Sequence, residues 1–256
     1  MASMDLALKD RVYIVTGASR GLGKATADVL VAEGAKVVVS SRDPDNVEAS
    51  VASLGGSEHA HGIAADNADP GTPDALISAA RDTFGRLDGA LISVGGPTPG
   101  PAMERTDAEW VAAFEAVFLG AVRLATAVAR ELGEGGSIVF VLSTSVKQPL
   151  SGLAISNGLR PGLAMIAKNL ADELGPRGIR VNGLLPGRVD TERIRELDNL
   201  ADDPVAARKA GAESIPLRRY GKPEEFGRVA AFLLSPATGY VTGAMVPVDG
   251  GHTRAL

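Results

Sequence analysis

The chain has 256 residues, 45% hydrophobic and 22% charged, which suits one α/β domain and argues against disorder. It has no cysteine, excluding a disulfide framework, a thiolate zinc site and a cysteine nucleophile. Its net charge of −5 argues against a nucleic-acid partner held by bulk positive charge. The most apolar long stretch, 111–132, is interrupted by Glu115, Arg123, Arg130 and Glu131, so no membrane span is predicted. The N-terminus lacks the basic and apolar regions of a signal peptide, so a cytoplasmic protein is expected. Met4 predicts that residues 1–3 are a cloning remnant, leaving 4–256 as one dinucleotide-binding and catalytic domain.

In chain order, short apolar runs predict strands at 11–16, 36–41, 61–65, 89–94, 137–143, 180–185 and 245–248. Several, such as Val37-Val38-Val39, are continuous and β-branched, as in strands covered on both faces. Helical spacing predicts helices at 22–33, 72–84, 107–131, 161–174 and 223–234. Strand alternating with helix predicts a single-domain, Rossmann-type doubly wound parallel sheet of about seven strands with helices on both faces. Residues 187–222 read as strand-free and charge-rich, and they follow a strand end. Ligands bind at that edge of such a sheet, so this segment is predicted to be a lid over the site.

Thr16-Gly17-Ala18-Ser19-Arg20-Gly21-Leu22-Gly23 lies between the first strand and the first helix. Glycines permit a tight turn and let a pyrophosphate approach free N–H groups at a helix N-terminus. In this context Gly17, Ser19, Arg20, Gly21, Leu22 and Gly23 are candidate dinucleotide contacts. At the end of the second strand an acid would bind the ribose 2′-OH of NAD, but the sequence reads Ser40-Ser41-Arg42. Arg20, Ser41 and Arg42 suit a 2′-phosphate through paired, charge-assisted bonds, so NADP(H) is preferred over NAD(H). Solvated arginines, one of them paired with Asp43, are the alternative.

Taken together, these motifs resemble those of the short-chain dehydrogenases/reductases, over essentially the whole chain. Asp66 matches the family's acid beside the adenine, with Asn67 following it. Asn182, then Pro186-Gly187 and Thr191, match the segment that lines the nicotinamide. Gly243 and Val248-Asp249-Gly250-Gly251 match the C-terminal strand. The resemblance implies an NADP(H)-dependent oxidoreductase (carbonyl reduction or alcohol oxidation), commonly a homotetramer or homodimer. It adds Gly95, Pro186, Gly187, Val189 and Thr191 to the cofactor contacts. The pattern is similar to a divergent branch near the 3-oxoacyl-acyl-carrier-protein reductases.

That family's catalytic residues are Asn, Ser, Tyr and Lys. Alignment on Gly162, Leu163, Leu170, Ala171, Glu173, Gly178-Ile179 and Asn182 retains the Ser as Ser143. It puts Ser156 at the Tyr position, Arg160 at the Lys position and Phe118 at the Asn position. The resemblance therefore implies a non-standard catalytic site of Ser143, Ser156 and Arg160, lacking the Tyr-x-x-x-Lys pair. Serine is a far weaker acid than tyrosine, and an arginine cannot relay a proton, although it stabilises negative charge. Phe118 continues the apolar stripe Trp110, Phe114, Val117 and Ala121, which reads as helix packing. Pro161-Gly162 predicts that this helix starts at Ser156 or later, with Ser156 or Asn157 as its N-cap.

Lys147 is a further candidate acid; a solvated lysine is its alternative reading. Lys147, Arg160 and Arg188 on one cleft would suit a small-molecule substrate carrying a carboxylate or phosphate. The proline-rich loop 95–101 is a candidate wall of the site. His59, His61 and His252 form no ligand pattern, so no metal is predicted. Neither Tyr13, Tyr220 nor Tyr240 reads as a replacement acid. A non-redox enzyme (elimination or isomerisation) and a catalytically dead nucleotide-binding protein remain open beside the oxidoreductase.

Overall fold

The computed structural model describes residues 5–255. Seven strands, β1 (Val12–Thr16), β2 (Lys36–Ser41), β3 (Ala60–Ala64), β4 (Gly89–Ser93), β5 (Ser137–Val141), β6 (Arg180–Pro186) and β7 (Met245–Val248), form one parallel sheet. Their order is β3-β2-β1-β4-β5-β6-β7. The chain winds outward in one direction from β1 and in the other from β4. A crevice therefore opens at the carboxyl ends of these two strands, where ligands of such sheets sit.

Side chains alternate along each strand and feed two cores. Val12 and Ile14 of β1 pack with Ile92, Ile138 and Phe140 on one face. That face is covered by α3 (Thr72–Phe84), α4 (Asp107–Ala113), α5 (Gly120–Glu131) and α6 (Ala154–Leu174). Tyr13 and Val15 point the other way, with Val37, Val39 and Leu184, under α1 (Gly21–Ala32) and α9 (Pro223–Leu234). Both sheet faces are thus dry, which is why the strands read as unbroken apolar runs.

Three helices escape the periodicity reading: α2 (Pro44–Ser53), α7 (Glu192–Asp198) and α8 (Pro204–Ser214). All three start on a side-chain cap, that of α7 being Thr191. Asp43 accepts from Asn46 N at 3.1 Å for α2, and Asp203 accepts from Val205 N and Ala206 N, both at 3.0 Å, for α8.

The predicted helix 107–131 is interrupted. Between α4 and α5 the chain widens into a π-helical turn, Phe114–Leu119, where the Phe114 and Phe118 rings stack with centroids 5.3 Å apart. By length and composition alone Asp107–Glu131 is long and apolar enough to cross a membrane, despite its charges. Its residues Ala113, Val117, Ala121, Leu124, Ala125 and Val128 are buried in the protein core.

The start predicted for α6 needs correction. The helix begins at Ala154, seven residues before Pro161, and the proline lies inside it. Pro161 cannot donate to the carbonyl of Asn157, but Ile155, Leu159 and Leu163 bury one continuous stripe across that position, which offsets the lost bond. Ser156 is therefore a buried residue of the first turn and not a cap. Asn157 is no cap either: its Oδ1 accepts from Leu150 N at 3.0 Å and its Nδ2 donates to Leu150 O at 2.8 Å.

Candidate functional site

The glycine turn is fastened to the crevice by one side chain. Thr16 Oγ1 donates to Ser93 O at 2.8 Å and accepts from Ser93 N at 2.9 Å, joining the ends of β1 and β4. Gly17 follows at φ +59°, where an added Cβ would lie 2.8 Å from Ser93 O, so only glycine fits. Gly23 packs directly against the Gly17 carbonyl, which brings the first turn of α1 against the loop. Arg20 is the N-cap of α1 but makes no side-chain capping bond, and no acid lies in the first turn. The leading amides of α1 thus lack a capping side chain and offer a positive helix end to an anion. Ser19 and Leu22 are half-buried beside them, and Gly21 faces the Thr191 methyl.

At the end of β2, Ser41 Oγ donates to Asp43 O at 3.3 Å. Asp43 is occupied in capping α2 and pairs with neither arginine. Arg42 is exposed, and Arg20 meets only Glu196, at 3.9 Å between exposed side chains. After β3, Asp66 Oδ1 accepts from Ala68 N at 2.9 Å, and the Asn67 carbonyl lies against Gly120.

Arg160 is the most unusual residue at this edge. It is 5% exposed, and its Nη1 donates to Val141 O at 2.6 Å. Its Nη2 reaches Val94 O at 3.3 Å and Gly95 O at 3.2 Å, while Nε has no partner. Burial alone pushes its pKa down to about 10, which leaves it cationic at neutral pH. It thus bridges the ends of β4 and β5 through backbone carbonyls, and among the described residues no acid pairs with it. Gly95 itself has open space where a Cβ would stand.

Ser143 ends the strand segment just beyond β5. Its Oγ accepts from Ser145 N at 3.1 Å, leaving the O–H to donate. The turn 144–146 packs against α6, which carries Ser156 and Arg160, and Lys147 follows it on the exposed surface.

The predicted convergence of three cations is not formed. Arg188 donates to Asp198 Oδ1 at 2.8 Å and to the Tyr220 hydroxyl at 3.0 Å, inside segment 187–222. Asp198 also meets Arg208 at 3.6 Å, and Asp190 holds Arg208 and Arg195 at 2.9 and 3.0 Å. The sequence shows these charges but not their pairing. This network stitches α7, α8 and Tyr220 together, and Asp190 N donates to Gly221 O at 2.8 Å to close the segment's base. The segment also reaches across the crevice, with Arg193 Nη2 donating to Pro97 O at 2.8 Å in the proline-rich loop.

Pro186, Gly187 and buried Val189 lead from β6 into this segment, and Thr191 caps α7 by accepting from Ile194 N at 3.4 Å. Asn182 does not line the site. Its buried amide ties β6 to the chain before β7, donating to Val241 O at 2.9 Å and accepting from Ala244 N at 3.0 Å.

No tyrosine reaches the strand-end site. Tyr13 is buried in β1 with its hydroxyl on Leu234 O at 3.4 Å, and burial pushes its pKa well above the ordinary range. Tyr240 is fully exposed, and Tyr220 is held by Asp198 and Arg188. Among the described residues no cluster of His, Asp and Glu could hold a metal.

Known proteins share this fold. A family profile described as Enoyl-(Acyl carrier protein) reductase matches residues 17–253. The 3-oxoacyl-[acyl-carrier-protein] reductase of Synechocystis is 35% identical over 253 residues, covering 96% of this chain and 98% of that protein. The short-chain reductase protein NovJ of Streptomyces niveus is 33% identical, covering 95% of this chain and 94% of that one. The crystal structure of L-sorbose reductase from Gluconobacter frateurii, complexed with NADPH and L-sorbose, superposes with a TM-score of 0.89 at 30% identity, covering 99% of this chain and 100% of that one. YwfH, an NADPH dependent reductase involved in bacilysin biosynthesis, superposes at 0.87 with 27% identity over 96% of this chain and 99% of that one. With a matching profile over most of its length and such relatives over nearly all of it, this chain belongs to the short-chain dehydrogenase/reductase family of oxidoreductases.

Proposed function

We propose that the protein is an NADP(H)-dependent reductase of carbonyl compounds, or the reverse alcohol dehydrogenase, with a non-standard catalytic site. The observation that carries the cofactor choice is the end of β2. The acid nearest to where NAD would need one, Asp43, is committed to capping α2, while Arg20, Ser41 and Arg42 present two guanidinium groups and a hydroxyl. The NADPH of the sorbose reductase complex and the NADPH dependence stated for YwfH support the same choice.

The residues present fit such a group. The glycine turn and the uncapped start of α1 would hold the pyrophosphate, and Asp66 and Asn67 would border the adenine. Gly95 and the stretch Pro186, Gly187, Val189 and Thr191 would border the nicotinamide, which supplies or takes up a hydride when bound. The chain's own part is orientation and electrostatics. The Ser143 O–H is available to a substrate carbonyl oxygen, and Arg160 supplies positive charge without exchanging a proton. The proton for the developing alkoxide then comes from water or Lys147.

Segment 187–222 acts as the lid, latched through Arg193 to the loop 95–101. Arg188 is withdrawn from substrate binding by Asp198, so an anionic substrate group would rest on Arg160 and Lys147 alone. The half-exposed apolar face of Val111, Phe114 and Leu119, with Trp110 and Leu159 around a cavity of about 370 Å³, supports a homodimer or homotetramer.

Titration of the purified protein with NADPH and with NADH tests the cofactor, and NADPH-selective binding is expected. Equal affinity, or binding of neither, overturns the reading. A nucleotide-binding protein without redox activity is the second reading, favoured by Ser156 and Arg160 at the positions where the family places Tyr and Lys. Transfer of deuterium from labelled cofactor to a carbonyl product separates the two.

A further inference from the structure

Among the described residues no carboxylate pairs with the Arg160 charge. Its bonds end on the carbonyls of Val141, Val94 and Gly95, and its Nε is orphaned. Acids that follow the carboxyl ends of the strands are engaged elsewhere. Asp43 caps α2, Asp66 closes a turn on Ala68 N, and Asp249 accepts from Gly251 N and Thr253 N. Asp190 and Asp198 are paired within segment 187–222, and Glu196 lies between Arg193 and Arg20. The guanidinium therefore projects a field at the carboxyl ends of β4 and β5 that no carboxylate cancels, in a site of low dielectric.

We infer that Arg160 makes the site hold the reduced, uncharged nicotinamide in preference to the oxidised, cationic one, so that the protein loads reductant and expels the spent cofactor. The inference rests on the cofactor reading above and deepens it by assigning a direction of use. When a carbonyl is reduced, the hydride's electron pair forms the new C–H bond at the carbonyl carbon, and the oxygen takes a proton from water. A cofactor bordered by Gly95 would then carry one more positive charge at a sheet edge where Arg160 has no paired carboxylate. At an effective dielectric of about 20, two unit charges repel enough to change an equilibrium tenfold or more out to about 12 Å. Arg160 acts here as a fixed charge, which distinguishes it from a proton donor.

The test is calorimetric titration of wild type, Arg160→Gln and Arg160→Lys with NADPH and with NADP+ separately. In wild type the oxidised form should bind about tenfold or more weakly than the reduced form. Arg160→Gln should shrink that ratio about tenfold, chiefly by tightening NADP+, and Arg160→Lys should keep it. A merely structural clamp would weaken both forms together and leave the ratio untouched, which would overturn the inference. So would a wild-type ratio near one. Arg160→Met replaces the Gln variant if that one fails to fold. Failure to bind NADPH at all would overturn the cofactor reading itself, an outcome distinct from equal binding of the two forms.

Discussion

Thr16 offers the cleanest perturbation of the crevice. Its hydroxyl is fully buried and makes two bonds to one residue, donating to Ser93 O at 2.8 Å and accepting from Ser93 N at 2.9 Å. Thr16→Val keeps the side-chain shape, so no cavity opens and the loss is polar. It strands a buried N–H and a buried C=O, each costing about 1–3 kcal/mol, so destabilisation of about 2–5 kcal/mol is expected. For a chain of this size that corresponds to a fall in Tm of roughly 5–15 °C. Thr16→Ser keeps the hydroxyl and should cost about 1 kcal/mol for its missing methyl. Urea denaturation followed by far-UV circular dichroism measures both variants. Because the same bonds set the start of the glycine turn, Thr16→Val should also weaken NADPH binding, and Thr16→Ser should not. Equal stability of the Val and Ser variants would refute the reasoning, since it would mean that the two Ser93 groups find other partners.

Three further outcomes are expected. Arg42→Ala should lower NADPH affinity by about 10- to 100-fold, the worth of a charge-assisted bond, and leave NADH affinity unchanged; equal losses would remove Arg42 from the phosphate site. Asp198→Asn should loosen segment 187–222 and speed amide exchange there while sparing the sheet. Its cost should fall below the ~3–5 kcal/mol of a fully buried pair, because the Arg188 and Arg208 side chains remain 42% and 40% exposed; uniform destabilisation of the whole chain would contradict this. Glu225 is held down to about pKa 2 by Arg219 and the Lys222 amide. A depressed carboxyl stabilises above its unfolded pKa and loses that contribution as pH falls through the folded value. The stability gap between wild type and Glu225→Gln should therefore be full above about pH 5 and close towards pH 2. A gap independent of pH would assign the effect to capping geometry alone.

The sheet is legible in the sequence because each strand is buried on both faces, so Val37-Val38-Val39 or Ile138-Val139-Phe140-Val141 needs no alternation to be recognised. Ends shift by a residue or two: the strand predicted at 137–143 closes at Val141, where Arg160 takes its carbonyl. Helices α7 and α8 hide from periodicity because they bury almost nothing, α7 only Asp198 and α8 only Gly211, while the short α2 seats Val47 and Ser50 against the rest of the protein. Their caps are the readable signal, and for α2 that signal, Asp43 before Pro44, also explains why Asp43 is not a partner of Arg42. Pro161 misleads in the opposite direction, since tertiary burial of Ile155 and Leu159 outweighs one missing backbone bond. The glycine turn is readable because its chemistry is local. The surroundings of Arg160 are not, because its partners are backbone carbonyls 19, 66 and 65 positions away and no side chain announces them.

A second buried arginine shows why the state of Arg160 matters. Arg180 is also buried without an acidic partner, and burial lowers its pKa too. It donates to Leu233 O and Thr238 Oγ1 at 2.8 Å, to Ser235 O at 2.9 Å and to Leu234 O at 3.4 Å. Those carbonyls end α9, where the last turn lacks donors and the helix dipole is negative, so the cation is answered by structure. Arg160 meets strand ends instead, and strands carry little net dipole. One guanidinium is therefore neutralised by the fold, while the other, with an orphaned nitrogen, is left to act on whatever enters the crevice. Buried charge is costly enough that a structural role would be expected to resemble Arg180. The contrast favours the assignment proposed above for Arg160, and it leaves Arg180 with the architecture around α9.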